Sequence, residues 1–150
     1  MKKSVFLDSG VVGLITNPNL SEEGISCAKW LLSHINQGSQ IIIPEIVDYE
    51  VRRELLRANK VKGLARLDEL IDSLEYLPIN TEAMRQAAVF WAEARQKGQP
   101  TASDKTIDAD MILVAQVFVM DVQDKVIATT NVGHLSRFVA SDVWQNILAQ

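Results

Sequence analysis

The chain has 150 residues, 47% of them hydrophobic, which predicts a single domain over residues 1–150 with a sizeable core. Its 15 Lys and Arg stand against 19 Asp and Glu, a net charge of -4, so any contact with a polyanion must be local. The single cysteine excludes an internal disulfide, and no Cys/His cluster suggests structural zinc. No apolar run approaches a membrane span or a secretory signal, which favours a soluble cytoplasmic protein.

Short apolar runs alternate with amphipathic segments along the chain. The apolar runs predict four buried strands, over residues 4–7, 39–44, 74–79 and 125–130. Apolar residues at helical spacing predict helices over 21–36, 45–58, 63–73, 81–97 and 141–149, and one that begins near residue 108. Strands this uniformly apolar are typical of a parallel sheet covered on both faces, so we expect a three-layer α/β/α sandwich.

Two aspartates, Asp108 and Asp110, open the most apolar of these helices. The helix should be buried against the sheet with its acidic end at a rim. Capping of free N–H groups and the helix dipole account for one acid at this position, but not for a second. Together with acids at two other element ends, the pair indicates a divalent-metal site built from oxygen ligands.

Polar residues also follow the first and fourth strands. Asp8 and Asn131 stand directly after them, and ligand crevices in open parallel sheets lie outside the carboxyl ends of the strands. Asp8 is either functional or a turn-forming aspartate. Asn131 is either a turn residue or a neutral oxygen ligand. Glu50 borders the buried face of the helix 45–58, where it is either a ligand or ordinary charged surface.

A basic stretch follows Glu50 on this otherwise acidic protein. Its six cations are Arg52, Arg53, Arg57, Lys60, Lys62 and Arg66. They form either a solvated face or a surface for phosphate contacts.

Three further polar residues have plain structural explanations. We expect His34 to be a helix-end cation or a surface residue, and Asp104 to be a solvated loop acid within the polar loop 99–106. His134 is either a loop histidine or part of the site's lining.

Carboxylates forced together repel, raise one another's pKa and cost stability unless a cation offsets them. A divalent cation resolves that conflict. The chain has no Walker-type glycine loop, no Ser/His/Asp elbow and no dinucleotide glycine fingerprint, which removes several other α/β chemistries.

Four segments in order and spacing resemble the PIN-domain ribonucleases, including VapC-type toxins. They are residues 5–9 with Asp8, the helix 44–55 with Glu50, residues 110–115 with Asp110, and residues 128–131 with Asn131. The resemblance covers nearly the whole chain and implies a Mg²⁺- or Mn²⁺-dependent endoribonuclease site. In that site Asp8, Glu50 and Asp110 would be metal ligands and Asn131 or Asp108 would assist, with Thr129 as the hydroxyl residue beside them.

Asn131 departs from the resemblance, because many members of the family carry aspartate there. The change lowers the negative charge of the site and leaves open whether one metal or two are bound.

The function that the resemblance implies is hydrolysis of RNA phosphodiesters by metal-activated water, with Arg52, Arg53 and Arg57 on the RNA backbone. It further implies a small antitoxin and a homodimer as partners, and no membrane association. The alternative is a non-catalytic PIN-like module that binds protein or RNA, for which Asn131 and the acidic balance are the motivating features.

Overall fold

The sheet forms the centre of the computed structural model, which describes residues 2–98 and 108–149. Its strands are β1 (Ser4–Leu7), β2 (Gln40–Pro44), β3 (Glu75–Leu77), β4 (Lys125–Thr129) and β5 (Ser141–Val143). They run in the order β3-β2-β1-β4-β5, and every neighbouring pair is parallel. Every residue of β1 is buried, as a central strand covered on both faces requires. The predicted parallel α/β/α sandwich is confirmed.

Helices flank this sheet. They are α1 (Ser9–Thr16), α2 (Glu22–Asn36), α3 (Glu45–Arg57), α4 (Val61–Ser73), α5 (Thr81–Gln96) and α6 (Ala109–Val119). Five of the six follow the predicted segments with small shifts at their ends. The predicted loop 99–106 with Asp104 lies outside the described residues. None of the described helices is long and apolar enough to span a membrane.

Helix α1 had no counterpart in the sequence prediction. Asp8, Ser9 and Gly10 have the composition of a turn, yet Asp8 is the N-cap of α1 and its side chain accepts a hydrogen bond from the Val11 N–H. Gly10 is needed for close packing and not for a turn, because a Cβ at this position would collide with the side chain of Thr130. A short helix can therefore begin immediately where β1 ends.

The helix predicted over 141–149 is wrong. Residues Ser141–Val143 form the edge strand β5 beside β4, and the short 3-10 turn Trp144–Asn146 follows. The apolar positions 143, 144, 147 and 148 fit a helical stripe, but pairing with the open edge of β4 satisfies backbone groups that an isolated short helix would leave free.

His34 is not a surface residue, although it does lie in the last turn of α2. Its side chain is fully buried, with Nδ1 3.0 Å from Ser39 Oγ and Nε2 2.8 Å from the Ile147 carbonyl. The Trp30 Nε1–H donates to the same carbonyl at 2.6 Å, and Trp144 packs edge-on against Trp30. These groups, which we call the C-terminal anchor, tie the end of the chain to α2.

Helix α6 is buried on all sides from Met111 to Val117. One polar residue in that stretch, Gln116, accepts from the Ile46 N–H at 3.3 Å and donates to the Leu77 carbonyl at 2.9 Å. Both bonds are long-range, so Gln116 sets the position of α6 against α3 and β3. The acidic start of α6 is thereby held at a defined place on the rim of the sheet.

Candidate functional site

The carboxyl ends of β1 and β4 form the point at which the strand order reverses. From β1 the chain continues outward to β2 and β3 on one side, while β4 and β5 lie on the other. Ligands of open parallel α/β sheets bind in the crevice at such a switch point. Leu7 pairs with Ala128, so Asp8 and Thr129 are neighbours at the mouth of this crevice.

Asp8 is a buried acid at the crevice and is 9% exposed. Its side chain caps α1 by accepting from the Val11 N–H at 3.0 Å. Burial raises the pKa of Asp8, and the negative charge of Asp110 raises it further, while the Thr129 hydroxyl and backbone N–H groups oppose the rise. Asp8 is therefore both the N-cap of α1 and an acid whose charged form is disfavoured by its surroundings.

The two aspartates of α6 have different roles. Asp108 is the N-cap and accepts from the Met111 N–H at 3.3 Å, while its Oδ2 is buried without a hydrogen-bond partner. Burial raises the pKa of Asp108, and the charge of Asp110 adds to that rise. Asp110 lies in the first turn with its side chain 44% exposed, so the cap does not need it. The second acid is thus free to face a ligand.

Glu50 reaches the same electrostatic neighbourhood from α3. Its side chain is half-buried, and burial raises its pKa, followed by the charge of Asp110. Arg53 opposes this rise, whereas Asp8 and Asp108 contribute to it. The structure therefore places these four acids, from three separate elements, within electrostatic range of Asp110, which raises the pKa of each of the other three.

The acids suit a hard divalent cation in kind. Carboxylate oxygens are the ligands that Mg²⁺ and Mn²⁺ prefer, and the unpartnered Asp108 Oδ2 has lone pairs that no protein group uses. Within residues 2–98 and 108–149, no three acidic, His or Cys side chains are drawn close enough to hold a metal ion as they stand. The carboxylates would therefore have to move closer together to share an ion.

Thr129 and Asn131 shape the turn that follows β4. Thr129 is 1% exposed, and its Oγ1 bonds to both the carbonyl and the N–H of Asn131. The Asn131 side chain is exposed, and its Oδ1 accepts from the Gly133 N–H at 3.2 Å. The amide oxygen is thus engaged as the turn interpretation expected, while Thr129 stands beside Asp8.

His134 lies at the site. Its Nε2 is 2.9 Å from Asp110 Oδ2, and its presence lowers the pKa of Asp108. The distance satisfies an ion pair, but the direction does not satisfy a hydrogen bond, so Nε2 is buried without a hydrogen-bond partner. In the sequence, the only sign that His134 belongs to the site was its position three residues after Asn131. The direction of its ring depends on the path of the loop, which the sequence does not show.

The basic stretch divides into two kinds of residue. Arg52 is paired internally, with Asp48 at 3.0 Å and Asp68 at 2.7 Å, and so joins α3 to α4. Arg57 pairs with Glu54 at 2.8 Å on the exposed face of α3. These two guanidinium groups already have carboxylate partners.

The other cations line a groove that begins at Glu50. A cavity of about 460 Å³ is bordered by Glu50, Arg53, Arg57 and Lys60. It meets a second cavity of about 640 Å³ at Lys60.

Lys62 and Arg66 line that second cavity. Lys60, Lys62 and Arg66 form no ion pair with a carboxylate in the described part of the chain. We call these joined cavities the basic groove.

Arg53 stands where the basic groove meets the acids. Its guanidinium lies 5.1 Å from the centre of the Tyr49 ring and lowers the pKa of the nearby Glu50. The groove therefore has an acidic end at Glu50 and a basic path leading away from it.

No known protein-family model matches the chain, and no curated protein matches its sequence. Solved structures do match its fold. VapBC2 from Rickettsia felis, bound to a DNA fragment from its promoter, matches with a TM-score of 0.71 and 16% identity over 94% of this chain and 98% of that one. The DNA-bound VapBC of Salmonella typhimurium matches with a TM-score of 0.67 and 21% identity over 96% and 99%.

FitAcB from Neisseria gonorrhoeae matches with a TM-score of 0.67 and 18% identity over 95% of this chain and 99% of that chain. Because these sequence identities are low, the similarity shows only that the chains share a fold. The protein has the PIN-like α/β fold, with a five-stranded parallel sheet flanked by helices.

Proposed function

We propose that the protein is a Mg²⁺- or Mn²⁺-dependent endoribonuclease and the toxin of a toxin–antitoxin pair. The observation that carries the proposal is that Asp8, at the switch point of the sheet, interacts electrostatically with Glu50 and Asp110, and that Asp110 also acts on Asp108. Grouped acids cost folding free energy unless a cation offsets their charge. An arrangement of this kind is typical of a site selected for ligand binding.

Asp8, Glu50 and Asp110 would hold the ion, with Asp108 as a further ligand through its unpartnered Oδ2. When bound, the ion would activate water and stabilise charge developing on the phosphoryl oxygens of RNA. The protein itself contributes by holding the carboxylates in position. Asp8 is fixed by its cap to Val11, whereas Asp110 retains an exposed carboxylate that can face the substrate.

The basic groove would carry the RNA backbone to the acids. Of the arginines assigned to RNA from the sequence, Arg52 and Arg57 are engaged with carboxylates, whereas Arg53 stands at the acidic end of the groove. Arg53 therefore has the leading role in this proposal, followed by Lys60, Lys62 and Arg66. Tyr49, beneath Arg53, adds an exposed ring on which a base can stack.

The antitoxin part of the proposal is supported by the similarity of the fold to the solved structures named above. The matching structures are of VapBC and FitAcB, and two of them contain DNA. We propose a small antitoxin as the partner here, homodimerisation as a further assembly, and the cytoplasm as the location. Expression of the chain alone should arrest growth, and co-expression of a short neighbouring reading frame should relieve the arrest. Growth unaffected by the chain would count against the toxin role.

Asp110→Asn should abolish RNA cleavage while the fold remains intact, because it removes the carboxylate that is coupled to all the other acids. Cleavage is followed on a pool of cellular RNAs with Mn²⁺, and the fold by circular dichroism. Asp72→Asn is the matched control, since Asp72 is an exposed acid on α4 outside the crevice. Cleavage by Asp110→Asn at the wild-type rate would refute the assignment.

The second candidate is a non-catalytic interaction module, which is favoured by the engagement of Asn131 Oδ1 in its own turn. Calorimetric titration of the wild type with Mn²⁺ separates the two functions. Binding that is lost in Asp8→Ala supports the nuclease. A well-folded wild type that neither binds Mn²⁺ nor cuts RNA supports the module.

A further inference from the structure

Two buried polar atoms without hydrogen-bond partners belong to residues that interact with Asp110. One is Asp108 Oδ2, on a residue only 8% exposed, and the other is His134 Nε2. Buried polar atoms in native proteins nearly always have a partner, so each exception calls for an explanation, such as an ion or a water molecule. Both exceptions belong to residues that interact with Asp110, so a bound ion at this end of α6 is one explanation that would serve for each of them.

The distance between His134 and Asp110 fits a hydrogen bond and also fits two ligands of one ion, and only the direction of the contact speaks against the hydrogen bond. Nε2 lies 2.9 Å from Oδ2, yet the N–H direction does not satisfy a hydrogen bond. Adjacent ligands of an octahedral ion at about 2.1 Å from the metal are about 3.0 Å from each other. The observed separation matches that edge.

The loop after β4 holds the His134 ring in place. Gly133 adopts a positive φ of 51°, Leu135 is buried at 5% exposure, and the Leu135 N–H donates to the Val132 carbonyl. The His134 carbonyl accepts from the Arg137 N–H at 3.1 Å and starts the 3-10 turn. The backbone on both sides of His134 is therefore held by hydrogen bonds, which sets where its side chain begins.

We propose that His134 is a nitrogen ligand in the acidic site and makes the site prefer Mn²⁺ to Mg²⁺. The inference rests on the proposed metal site but adds a donor of another chemical class. Imidazole nitrogen favours transition metals, whereas Mg²⁺ keeps oxygen ligands and water. His134 is thus a specificity-determining residue for the cation.

The test is pulsed electron paramagnetic resonance of Mn²⁺ bound to the wild-type protein, which detects ¹⁴N nuclei in the coordination shell. The chain has only two histidines, and both ring nitrogens of His34 are engaged in the C-terminal anchor, so His134 is the sole imidazole near the crevice. Imidazole ¹⁴N modulation should be present in the wild type and absent in His134→Asn. Bound Mn²⁺ without that modulation would overturn the inference and leave the metal site standing.

Calorimetric titrations with MnCl₂ and MgCl₂ provide the second measurement. We expect His134→Asn to weaken Mn²⁺ binding about tenfold and Mg²⁺ binding about threefold or less. Equal losses for both ions, or no loss, would contradict a nitrogen ligand. Ser136→Ala, an exposed change in the same 3-10 turn, is the matched control, and His134→Gln replaces His134→Asn if the latter does not fold. A wild type that binds neither ion overturns this inference together with the proposed site.

Discussion

The two histidines of this chain stand in opposite kinds of environment. His34 is fully buried in the C-terminal anchor, and each of its ring nitrogens has a partner. His134 is half-buried at the crevice, and its Nε2 has an acid beside it but no hydrogen bond. A buried polar side chain whose bonds are complete stabilises the fold, whereas one whose bonds are incomplete is available to a ligand. For these two histidines, the hydrogen bonds of the ring nitrogens therefore distinguish the structural residue from the candidate functional one.

The largest difference between the two environments should appear when each histidine is replaced by alanine. His34→Ala should lower the free energy of unfolding by about 2–4 kcal/mol, because it leaves a cavity and removes partners from Ser39 and the Ile147 carbonyl. His134→Ala should change it by less than about 0.5 kcal/mol without metal, since no hydrogen bond is lost. Urea denaturation with a chelator present measures both. Equal losses would remove the distinction between the two regions.

A smaller effect should appear when one acid of the crevice is neutralised. The pKa of Asp8 is raised above its ordinary 3.8, so the folded protein keeps a proton that the unfolded chain has released. The free energy of unfolding therefore falls as pH rises from about 3.8 through the folded pKa, and below 3.8 this cost is absent. Asp8→Asn keeps the N-cap and removes the cost, so the variant should exceed the metal-free wild type by on the order of 1 kcal/mol above that window.

Urea denaturation at a series of pH values measures this difference. The advantage of Asp8→Asn should disappear as pH falls below the window. An advantage independent of pH would show that the charge of Asp8 is not its source.

The smallest predicted effect is on RNA binding, and it tests whether the basic groove contacts phosphates. Arg53→Glu should weaken RNA binding several-fold and reduce the slope of log affinity against log salt by about 1–2, because a phosphate contact is lost and a repulsive charge is added. Arg85→Glu changes the net charge equally on the exposed face of α5, outside the groove. Fluorescence anisotropy with a single-stranded RNA at several salt concentrations measures both. Identical slopes for the two variants would show that net charge alone acts.

Much of the fold was predictable because its signals are local. Runs such as Ile41, Ile42 and Ile43 are buried on both faces and predict parallel strands by composition alone. The strongly apolar α6 and the acids at its start were recognised for the same reason. Helix α1 was missed because Asp8, Ser9 and Gly10 suit a turn, and only the close contact of Gly10 with Thr130, just after β4, accounts for the glycine in another way.

The amino-acid sequence by itself determined the parallel α/β class and the elements that carry Asp8, Glu50 and Asp110. Periodicity and strand-end position are properties of neighbouring residues, so they can be read along the chain. Only the tertiary structure decided that β5 replaces a helix, that Arg52 is paired with Asp68, and that His134 faces Asp110. Each of these depends on groups far apart in sequence, whose meeting is set by sheet order and loop path.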